Sequence, residues 1–348
     1  MIISRTPYRI SFFGGGTDYP LWFREHGGAA LGVTINHYCY ITCRFFPPFF
    51  DTLSRIVWSK IETVDNHAEI AHPAIRSVLE DLGMTEGVEI HHQGDLPARS
   101  GLGSSSSFTV GLLHALYALQ GRLVSKEFLA QRAIHVEQTL LKENVGVQDQ
   151  ILTAFGGLNR VLIDQSGGFQ VQPLPISEER LKELESHLLL LYTGVARTAS
   201  EVAESQLRTM SNRSRELHEM RQMVDLAADI LTSEADIADF GRLLHETWML
   251  KRQLSDKIAP AFVDDIYARA KAAGAIGGKL LGAGGGGFML FFVRPEDHEK
   301  VLTALAELLV VPIELERTGT QLIHYDPRHY SQTSRRRRDY RRYTNGDR

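Results

Sequence analysis

Alternating apolar and polar positions mark the first third of the chain as β-rich. Residues 2–13, 33–46, 55–63 and 87–92 each alternate with a period near two, or form short apolar runs rich in β-branched and aromatic residues. Both patterns are typical of strands. Helix-like spacing appears over residues 69–82. The pattern therefore predicts four strands with one short helix before the last of them.

Helical spacing dominates the next region, where residues 104–120 and 125–141 each repeat apolar positions every three or four residues. The apolar face of the first helix consists of Phe108, Leu112, Leu113, Leu116 and Leu119. Ser125 is the expected N-cap of the second helix. Residues 157–163 and 169–173 then predict a strand pair joined by a hairpin-like turn.

The second half of the chain reads as a separate α+β unit. Its predicted elements are a strand over 188–192, helices over 199–231, 237–255, 261–273 and 295–309, and strands over 287–293 and 321–325. We place the boundary between the two units near residues 166–178. The predicted domains are therefore 1–170 and 171–330, followed by a basic terminal segment, 331–348.

The composition is that of a globular protein, with 43% hydrophobic and 23% charged residues. No apolar run reaches the roughly 18 residues of a membrane span, and the N-terminus lacks a signal-peptide pattern. Cys39 and Cys43 lie four residues apart on one predicted strand, roughly 13 Å, too far for a disulfide. Reduced cysteines are typical of the cytoplasm, which is the expected location.

Charge is distributed unevenly along the chain. The last 18 residues hold seven Arg and two Asp, a net charge of +5. Because the whole chain has a net charge of −4, residues 1–330 carry a net charge of −9. An acidic body argues against a nucleic-acid platform, and no membrane partner is expected. The basic segment is interpreted as a solvated, disordered terminus, the alternative being contact with polyanions.

A glycine- and serine-rich segment, residues 97–107, joins the predicted strand at 87–92 to the helix at 104–120. Glycine lets a backbone turn tightly against a ligand, and a helix N-terminus favours phosphate. The segment lacks the spacing of a P-loop. The other glycine run, 282–287, leads into a strand rather than the helix that a dinucleotide fingerprint requires. A flexible linker is the alternative, but an amphipathic helix follows at once.

Four segments in this order resemble the GHMP kinases, a superfamily of small-molecule kinases. They are Gly14-Gly15-Gly16-Thr17-Asp18, the 101–107 loop, the stretch from Glu137 to Gln150, and residues 282–287. The resemblance covers nearly the whole chain. It implies a two-domain α+β GHMP kinase fold, with an N-terminal domain like domain 2 of ribosomal protein S5 and a ferredoxin-like C-terminal domain. It also implies ATP and Mg²⁺ as cofactors.

The resemblance also implies roles for single residues. Asp149 would orient the acceptor hydroxyl and can deprotonate it, and Glu137 and Ser105 would hold Mg²⁺, with Ser104 and Ser106 open as alternatives to Ser105. Arg9 is a candidate for stabilising charge on the transferred phosphoryl group, the alternative being an exposed strand residue. The expected nucleotide-binding residues are Pro97, Arg99, Gly101, Leu102, Gly103, Ser104, Ser105 and Ser106.

The Gly-Gly-Gly-Thr-Asp form resembles the branch of this superfamily that phosphorylates the anomeric hydroxyl of D-glycero-D-manno-heptose 7-phosphate. Galactokinases place Glu and His where this chain has Gly15 and Gly16. The expected substrate-binding residues are Gly15, Gly16, Thr17, Asp18, Arg197, Lys279, Gly284 and Gly285. Arg197 and Lys279 are candidates for holding the distal phosphate of a sugar phosphate. An L-fucose or other hexose 1-kinase and a non-enzymatic sugar or nucleotide sensor stay open as alternatives.

Overall fold

Two sheets carry the fold in the computed structural model, which describes residues 1–47, 49–195 and 199–328. The strands in these residues are β1 Ile2–Phe13, β2 Gly28–Phe45, β3 Ser54–Val57, β4 Ile61–Val64, β5 Val88–Gly94, β6 Leu158–Ile163, β7 Phe169–Pro173, β8 Leu188–Tyr192, β9 Gly277–Leu280, β10 Phe288–Phe292, β11 Leu309–Val311, β12 Leu315–Glu316 and β13 Gln321–Tyr325.

The helices of the same residues surround these sheets. They are α1 Pro20–His26, α2 Pro73–Asp81, α3 Ser104–Leu119, α4 Lys126–His135, α5 Gln148–Phe155, α6 Glu178–Ser186, α7 Ala199–Thr209, α8 Ser214–Thr232, α9 Ile237–Gln253, α10 Ala261–Ala272 and α11 His298–Ala304. No helix among the described residues is long and apolar enough to cross a membrane.

The larger sheet has nine strands, in the order β13-β1-β2-β5-β3-β4, with β6 and β12 also on β2 and β7 on β6. The 18-residue β2 can serve four neighbours because different parts of it pair with β1, β5, β6 and β12. The smaller sheet is antiparallel, in the order β11-β8-β10-β9. The α+β class expected from the sequence is confirmed.

The end of β1, in the larger sheet, packs against helix α9. Its first residues alternate between buried and half-buried, but from Thr6 to Phe13 every residue is buried. Phe12 and Phe13 each contact the Phe240 ring of α9 edge-on, with ring centres 5.2 and 5.1 Å apart. A strand covered on both faces loses its alternation, and β1 therefore delivers the loop that follows it into the interior.

Helix α3 is buried almost all round rather than on one face. Besides the predicted apolar face, its Ser106, Ser107, Thr109, Val110 and Tyr117 are buried. The helix packs on β1 and β2 on one side and on α4 and α5 on the other. Its N-terminus, which follows the glycine- and serine-rich segment, is therefore fixed by several elements at once.

Several expected elements differ in the structure. Residues 55–63 form a hairpin rather than one strand, because the chain turns at Trp58, whose amide donates to the carbonyl of Lys60. Residues 199–231 are interrupted by a 3₁₀ turn, Met210–Arg213. Residues 295–309 contain a 3₁₀ turn, Pro295–Asp297, and the short α11 before β11 begins. Helices α1, α5 and α6 and strands β9, β11 and β12 were not predicted.

The last described strand corrects the expected organisation. Residues 321–325 were expected to complete the second unit, but β13 pairs with β1 in the larger sheet. The chain thus returns to its first strand after the smaller sheet is built. Cys39 and Cys43 are free and buried, as expected from their spacing. The basic segment 331–348 lies outside the described residues.

Candidate active site

A cavity of about 270 Å³ lies where the ends of β1, α3, α5 and α9 come together. It is lined by the expected Arg9, Gly15, Gly16, Asp18, Arg99, Gly101, Gly103, Ser104, Ser105, Ser106, Glu137, Asp149 and Lys279. The structure thus brings residues from all four glycine- or carboxylate-bearing segments to one place. Pro97, Leu102, Thr17, Gly284 and Gly285 do not line it, and Arg197 lies outside the described residues.

The loop before α3 is pressed against the 282–287 loop. A Cβ on Gly101 would lie 2.5 Å from the carbonyl oxygen of Leu281, and Gly101 has φ +91°. Gly103 at the helix N-cap also has a left-handed backbone, with φ +73°. Glycine is therefore required by both space and conformation at Gly101. The loop leaves the N-terminus of α3 open to the cavity, where its free N–H groups favour an anion.

The four serines of this loop have different surroundings. Ser104 accepts a hydrogen bond from the amide of Arg99, Ser106 donates to Glu137 at 3.0 Å, and Ser107 donates to the carbonyl of Pro7. The exposed Ser105 lines the cavity, and its hydroxyl has no hydrogen-bond partner among the described residues. Ser105 is therefore the serine whose hydroxyl is free for a ligand.

Asp149, in the first turn of α5, is held by the guanidinium of Arg9. Nε of Arg9 donates to Oδ1 at 2.7 Å, and Nη2 donates to Oδ2. Nη1 of Arg9 donates to the carbonyl of Gly101 at 2.7 Å. Arg9 is 3% exposed, so the alternative of an exposed strand arginine is wrong. The bidentate pair fixes the plane of the Asp149 carboxylate beside the loop that precedes α3.

Asp18 is a second carboxylate at the same end of the cavity. It is buried, and its oxygens accept from the backbone amides of Gly16 at 3.0 Å and Gln148 at 3.4 Å. A Cβ on Gly146 would lie 1.8 Å from Oδ2 of Asp18, so this close approach requires glycine. Burial, with a contribution from the charge of Asp149, raises the pKa of Asp18 to about 6.

Glu137 lies in a π-helical turn, Val136–Leu140, that replaces the expected end of the helix over 125–141. Its Oε2 accepts from Gln150 at 2.6 Å and from Ser106 at 3.0 Å. Its Oε1 is buried without a partner among the described residues, and no ion pair there involves it. Burial raises the pKa of Glu137 to about 8. A buried carboxylate that lacks a cation is suited to a metal ligand.

The donor set around Glu137 fits Mg²⁺, which prefers oxygen ligands and keeps several from water and phosphate. Glu137, which has an unpartnered oxygen, and Ser105, whose hydroxyl is free, both line the same cavity. The described residues contain no cluster of three or more His, Cys, Asp or Glu side chains arranged for a metal. Protein groups alone would therefore hold such an ion incompletely, and phosphate oxygens would complete its ligands.

Several of the expected substrate-binding residues form hydrogen bonds within the protein. The buried ammonium of Lys279 donates to the carbonyls of Ser11 at 2.9 Å and Phe12 at 2.7 Å, at the end of β1. The amide of Gly285 donates to the carbonyl of Ile258. The hydroxyl oxygen of Thr17 lies within hydrogen-bond distance of the carbonyl oxygens of Gly14 and Ala29. These contacts hold the loops that shape the cavity.

Lys251 on α9 is the most notable lining residue that the sequence analysis missed. It is 5% exposed, and its ammonium donates to the carbonyl of Gly282. Burial lowers its pKa to about 8. The signal was present, because Lys251 follows Leu244 and Trp248 at helical spacing on a buried face. The other lining residues without a predicted role of their own are Ser11, Tyr19, Glu143, Asn144, Val145, Gly146, Gln148, Ala203 and Gln206, together with Gly282 and Ala283 of the predicted 282–287 loop.

Comparison with known proteins identifies matching families and relatives. The family model for the GHMP kinases N terminal domain matches residues 69–157, and that for the GHMP kinases C terminal matches residues 225–311. Together these segments span just over half of the chain.

Individual relatives extend this similarity over most of the chain. A D-glycero-alpha-D-manno-heptose 7-phosphate kinase of Campylobacter jejuni is 28% identical over 317 residues, covering 87% of this chain and 93% of that protein. A bifunctional fucokinase/GDP-fucose pyrophosphorylase of Arabidopsis thaliana is 26% identical over 85% of this chain but only 30% of its own length. The crystal structure of a D-glycero-D-manno-heptose 1-phosphate kinase of Bacteroides thetaiotaomicron matches with a TM-score of 0.76 at 25% identity, covering 93% of this chain and 99% of that one.

Proposed function

Because this chain belongs to the GHMP kinases and is a sugar kinase, a phosphotransferase with an alcohol group as acceptor, we propose that its substrate is D-glycero-D-manno-heptose 7-phosphate. In this proposal ATP phosphorylates the anomeric hydroxyl and the product is the 1,7-bisphosphate. The observation that carries the proposed chemistry is Asp149, whose carboxylate is fixed by Arg9 beside the loop that precedes α3. Phosphoryl transfer depends mainly on such positioning and on charge neutralisation.

Asp149 is proposed to orient the acceptor hydroxyl in line with the γ-phosphorus. The hydroxyl oxygen forms the new bond to phosphorus, and the bond to the β–γ bridging oxygen breaks with its electron pair leaving on ADP. The hydroxyl proton passes to a carboxylate oxygen of Asp149 and then to solvent. Because both oxygens of Asp149 already accept from Arg9, orienting the hydroxyl is its main contribution.

The N-terminus of α3 and the loop before it are proposed to bind the phosphates of ATP. Gly101 and Gly103 allow the backbone to approach these phosphates. The N–H groups of the first turn of α3 lie at the end of the helix that borders the cavity. Glu137 and Ser105 would hold Mg²⁺, which would neutralise charge on the phosphates when bound. The unpartnered Oε1 of Glu137 supports this assignment.

Asp18 is proposed to accept hydrogen bonds from sugar hydroxyls beside the reacting one. Gly15 and Gly16 line the cavity next to it and leave room for a substrate against the backbone. The 7-phosphate needs a cation, and the ammonium of Lys279 already has two backbone partners. Arg197 stays the predicted anchor for this phosphate, and it lies outside the described residues.

A panel of sugars tests the substrate. Heptose 7-phosphate should exceed the unphosphorylated heptose at least tenfold in kcat/KM, because one Arg–phosphate pair contributes on the order of 1.5–3 kcal/mol. Arg197→Ala should remove much of that difference. The panel includes heptose 1-phosphate, since the two heptose kinases to which the chain is similar are named for different phosphates, the 7-phosphate and the 1-phosphate. ³¹P NMR of the product identifies the hydroxyl that was phosphorylated.

L-Fucose is the second candidate substrate, because a fucokinase is similar over 85% of this chain. A clear preference for L-fucose, or equal use of both heptoses, would exclude the heptose phosphate while leaving the kinase assignment unchanged. Preference for heptose 1-phosphate would retain the heptose and change the acceptor hydroxyl.

A further inference from the structure

Lys251 occupies an unusual position for a lysine. It lies on the face of α9 that also carries the fully buried Trp248, and it is itself 5% exposed. Lys251 lines the cavity, and its ammonium donates to the carbonyl of Gly282. Burying an ammonium costs free energy unless it is paired. We therefore expect the charge of Lys251 to serve a function at this cavity.

The other two buried cations of the cavity wall use most of their donors within the protein. Arg9 uses three of its five N–H groups on Asp149 and Gly101, and Lys279 uses two of its three on Ser11 and Phe12. Lys251 has a single hydrogen-bond partner within the described parts of the chain. Since an ammonium carries three donors, two of those on Lys251 are available to a ligand.

The carbonyl that Lys251 contacts marks the junction of two loops. A Cβ on Gly282 would lie 2.5 Å from Cα of Gly101, so Lys251 stands next to the loop that precedes α3. The negative charges of Asp18 and Asp149 also act on it. The ammonium therefore adjoins the proposed phosphate-binding loop and is within electrostatic reach of the two carboxylates of the proposed acceptor site.

We propose that Lys251 is a catalytic residue whose ammonium contacts the oxygens of the phosphoryl group during its transfer. The inference rests on the phosphotransfer proposed above but not on the identity of the sugar. As the hydroxyl oxygen bonds to the γ-phosphorus and the bond to the bridging oxygen breaks, negative charge is shared among the transferring oxygens and the ADP oxygen. Lys251 remains protonated throughout, so the proton balance of the reaction is unchanged.

The opposite role, a neutral Lys251 that takes the hydroxyl proton, predicts the opposite pH dependence. The groups that act on Lys251 are Arg9 of β1, Asp18 of the following loop, Asp149 of α5 and Lys279 of β9. Burial and the charge of Arg9 lower its pKa to about 8, so the free enzyme carries the ammonium below that pH. A charge-stabilising Lys251 makes kcat/KM fall as pH rises through about 8, whereas a general base makes it rise.

The test compares Lys251→Met and Lys251→Arg with a matched control, Lys257→Met, at an exposed lysine outside the cavity. The acceptor is whichever sugar the wild-type chain uses best, so an error in the proposed sugar does not affect the result. Lys251→Met should lower kcat roughly 10²–10³-fold, the loss typical of one transition-state donor. Affinity for ATP and the melting temperature should change little, and Lys251→Arg should recover at least tenfold of the loss.

The pH profiles of the wild type and of Lys251→Arg provide a test that does not require Lys251→Met to fold. A fall in kcat/KM above pH about 8 that disappears in Lys251→Arg supports the proposal, since a guanidinium stays protonated. A rise through that pH that disappears in Lys251→Arg would overturn it in favour of a general base. A folded Lys251→Met variant with kcat within threefold of wild type would also overturn it.

Discussion

Two carboxylates, the buried Glu137 and the half-buried Asp149, lie at the same cavity in contrasting surroundings. Asp149 has both oxygens paired with Arg9, and the cations Lys251 and Lys279 line the same region. Glu137 accepts from an amide and a hydroxyl, and the hydroxyl of Thr109 also acts to lower its pKa, but one of its oxygens has no geometric hydrogen-bond partner among the described residues. One carboxylate is supplied with positive charge by the protein, and the other is not.

These surroundings suit different tasks, the positioning of a substrate hydroxyl for Asp149 and the binding of a metal ion for Glu137. A carboxylate paired with a buried guanidinium is fixed before any substrate arrives, which suits a group that aligns a hydroxyl. A buried carboxylate without a cation is costly, as its raised pKa of about 8 indicates, and a bound metal would relieve that cost. We therefore expect substitutions at the two residues to have different kinetic signatures.

The largest effect is expected at Asp149. Asp149→Asn keeps the shape and removes the charge, so turnover should fall roughly 10²–10⁴-fold while ATP affinity survives. Steady-state kinetics and calorimetric ATP binding measure the two quantities. Asp229→Asn, at an exposed aspartate on α8, is the matched control. Turnover above about half of the wild-type value would exclude the role assigned to Asp149.

A smaller and qualitatively different effect is expected at the Glu137 end. Glu137→Gln and Ser105→Ala should each raise the Mg²⁺ concentration for half-maximal rate at least about tenfold, with little change in the KM of the sugar. Ser104→Ala is the comparison, because that hydroxyl already accepts from the amide of Arg99. If both variants titrate with Mg²⁺ as the wild type does, the metal lies elsewhere. An equal shift in Ser104→Ala would remove the preference for Ser105.

The smallest effect is expected at Asp18, the second carboxylate beside Asp149, and a change of pH tests it. Burial raises the pKa of Asp18 to about 6, so the carboxyl is protonated below that pH and cannot accept two sugar hydroxyls. Affinity for the sugar should therefore fall as pH drops through about 6, by about tenfold at pH 5. Calorimetric titration of the sugar at pH 5 and 7.5 measures the change. Equal affinity at the two pH values would mean that Asp18 does not bind the sugar as a carboxylate.

Sequence and structure contributed differently to these two regions. The spacing of Gly101, Gly103 and the serines, read with the helix that follows, predicted the loop at α3. Glycine and helix-start signals are local, so backbone preference alone exposes them. The resemblance supplied the roles of Glu137 and Asp149. The π-helical turn that holds Glu137 carried no recognised signal in the sequence.

Partners distant along the chain were decided only by the tertiary structure. Lys279 was a candidate phosphate anchor, yet its ammonium binds carbonyls of β1, 267 and 268 residues away in sequence. The free hydroxyl of Ser105 among four serines and the exposure of Lys251 to the cavity likewise depend on packing between elements. The return of β13 to β1 has the same origin.

The sequence by itself determined the class of fold, most of the strands and helices, and which segments bear phosphate-binding and carboxylate chemistry. These follow from short-range periodicity and from residue types that suit a ligand. Only the tertiary structure decided which charges are neutralised by the protein and which remain for a ligand. Hydrogen bonds and ion pairs across the interior set that balance, and they join residues whose separation in sequence carries no signal.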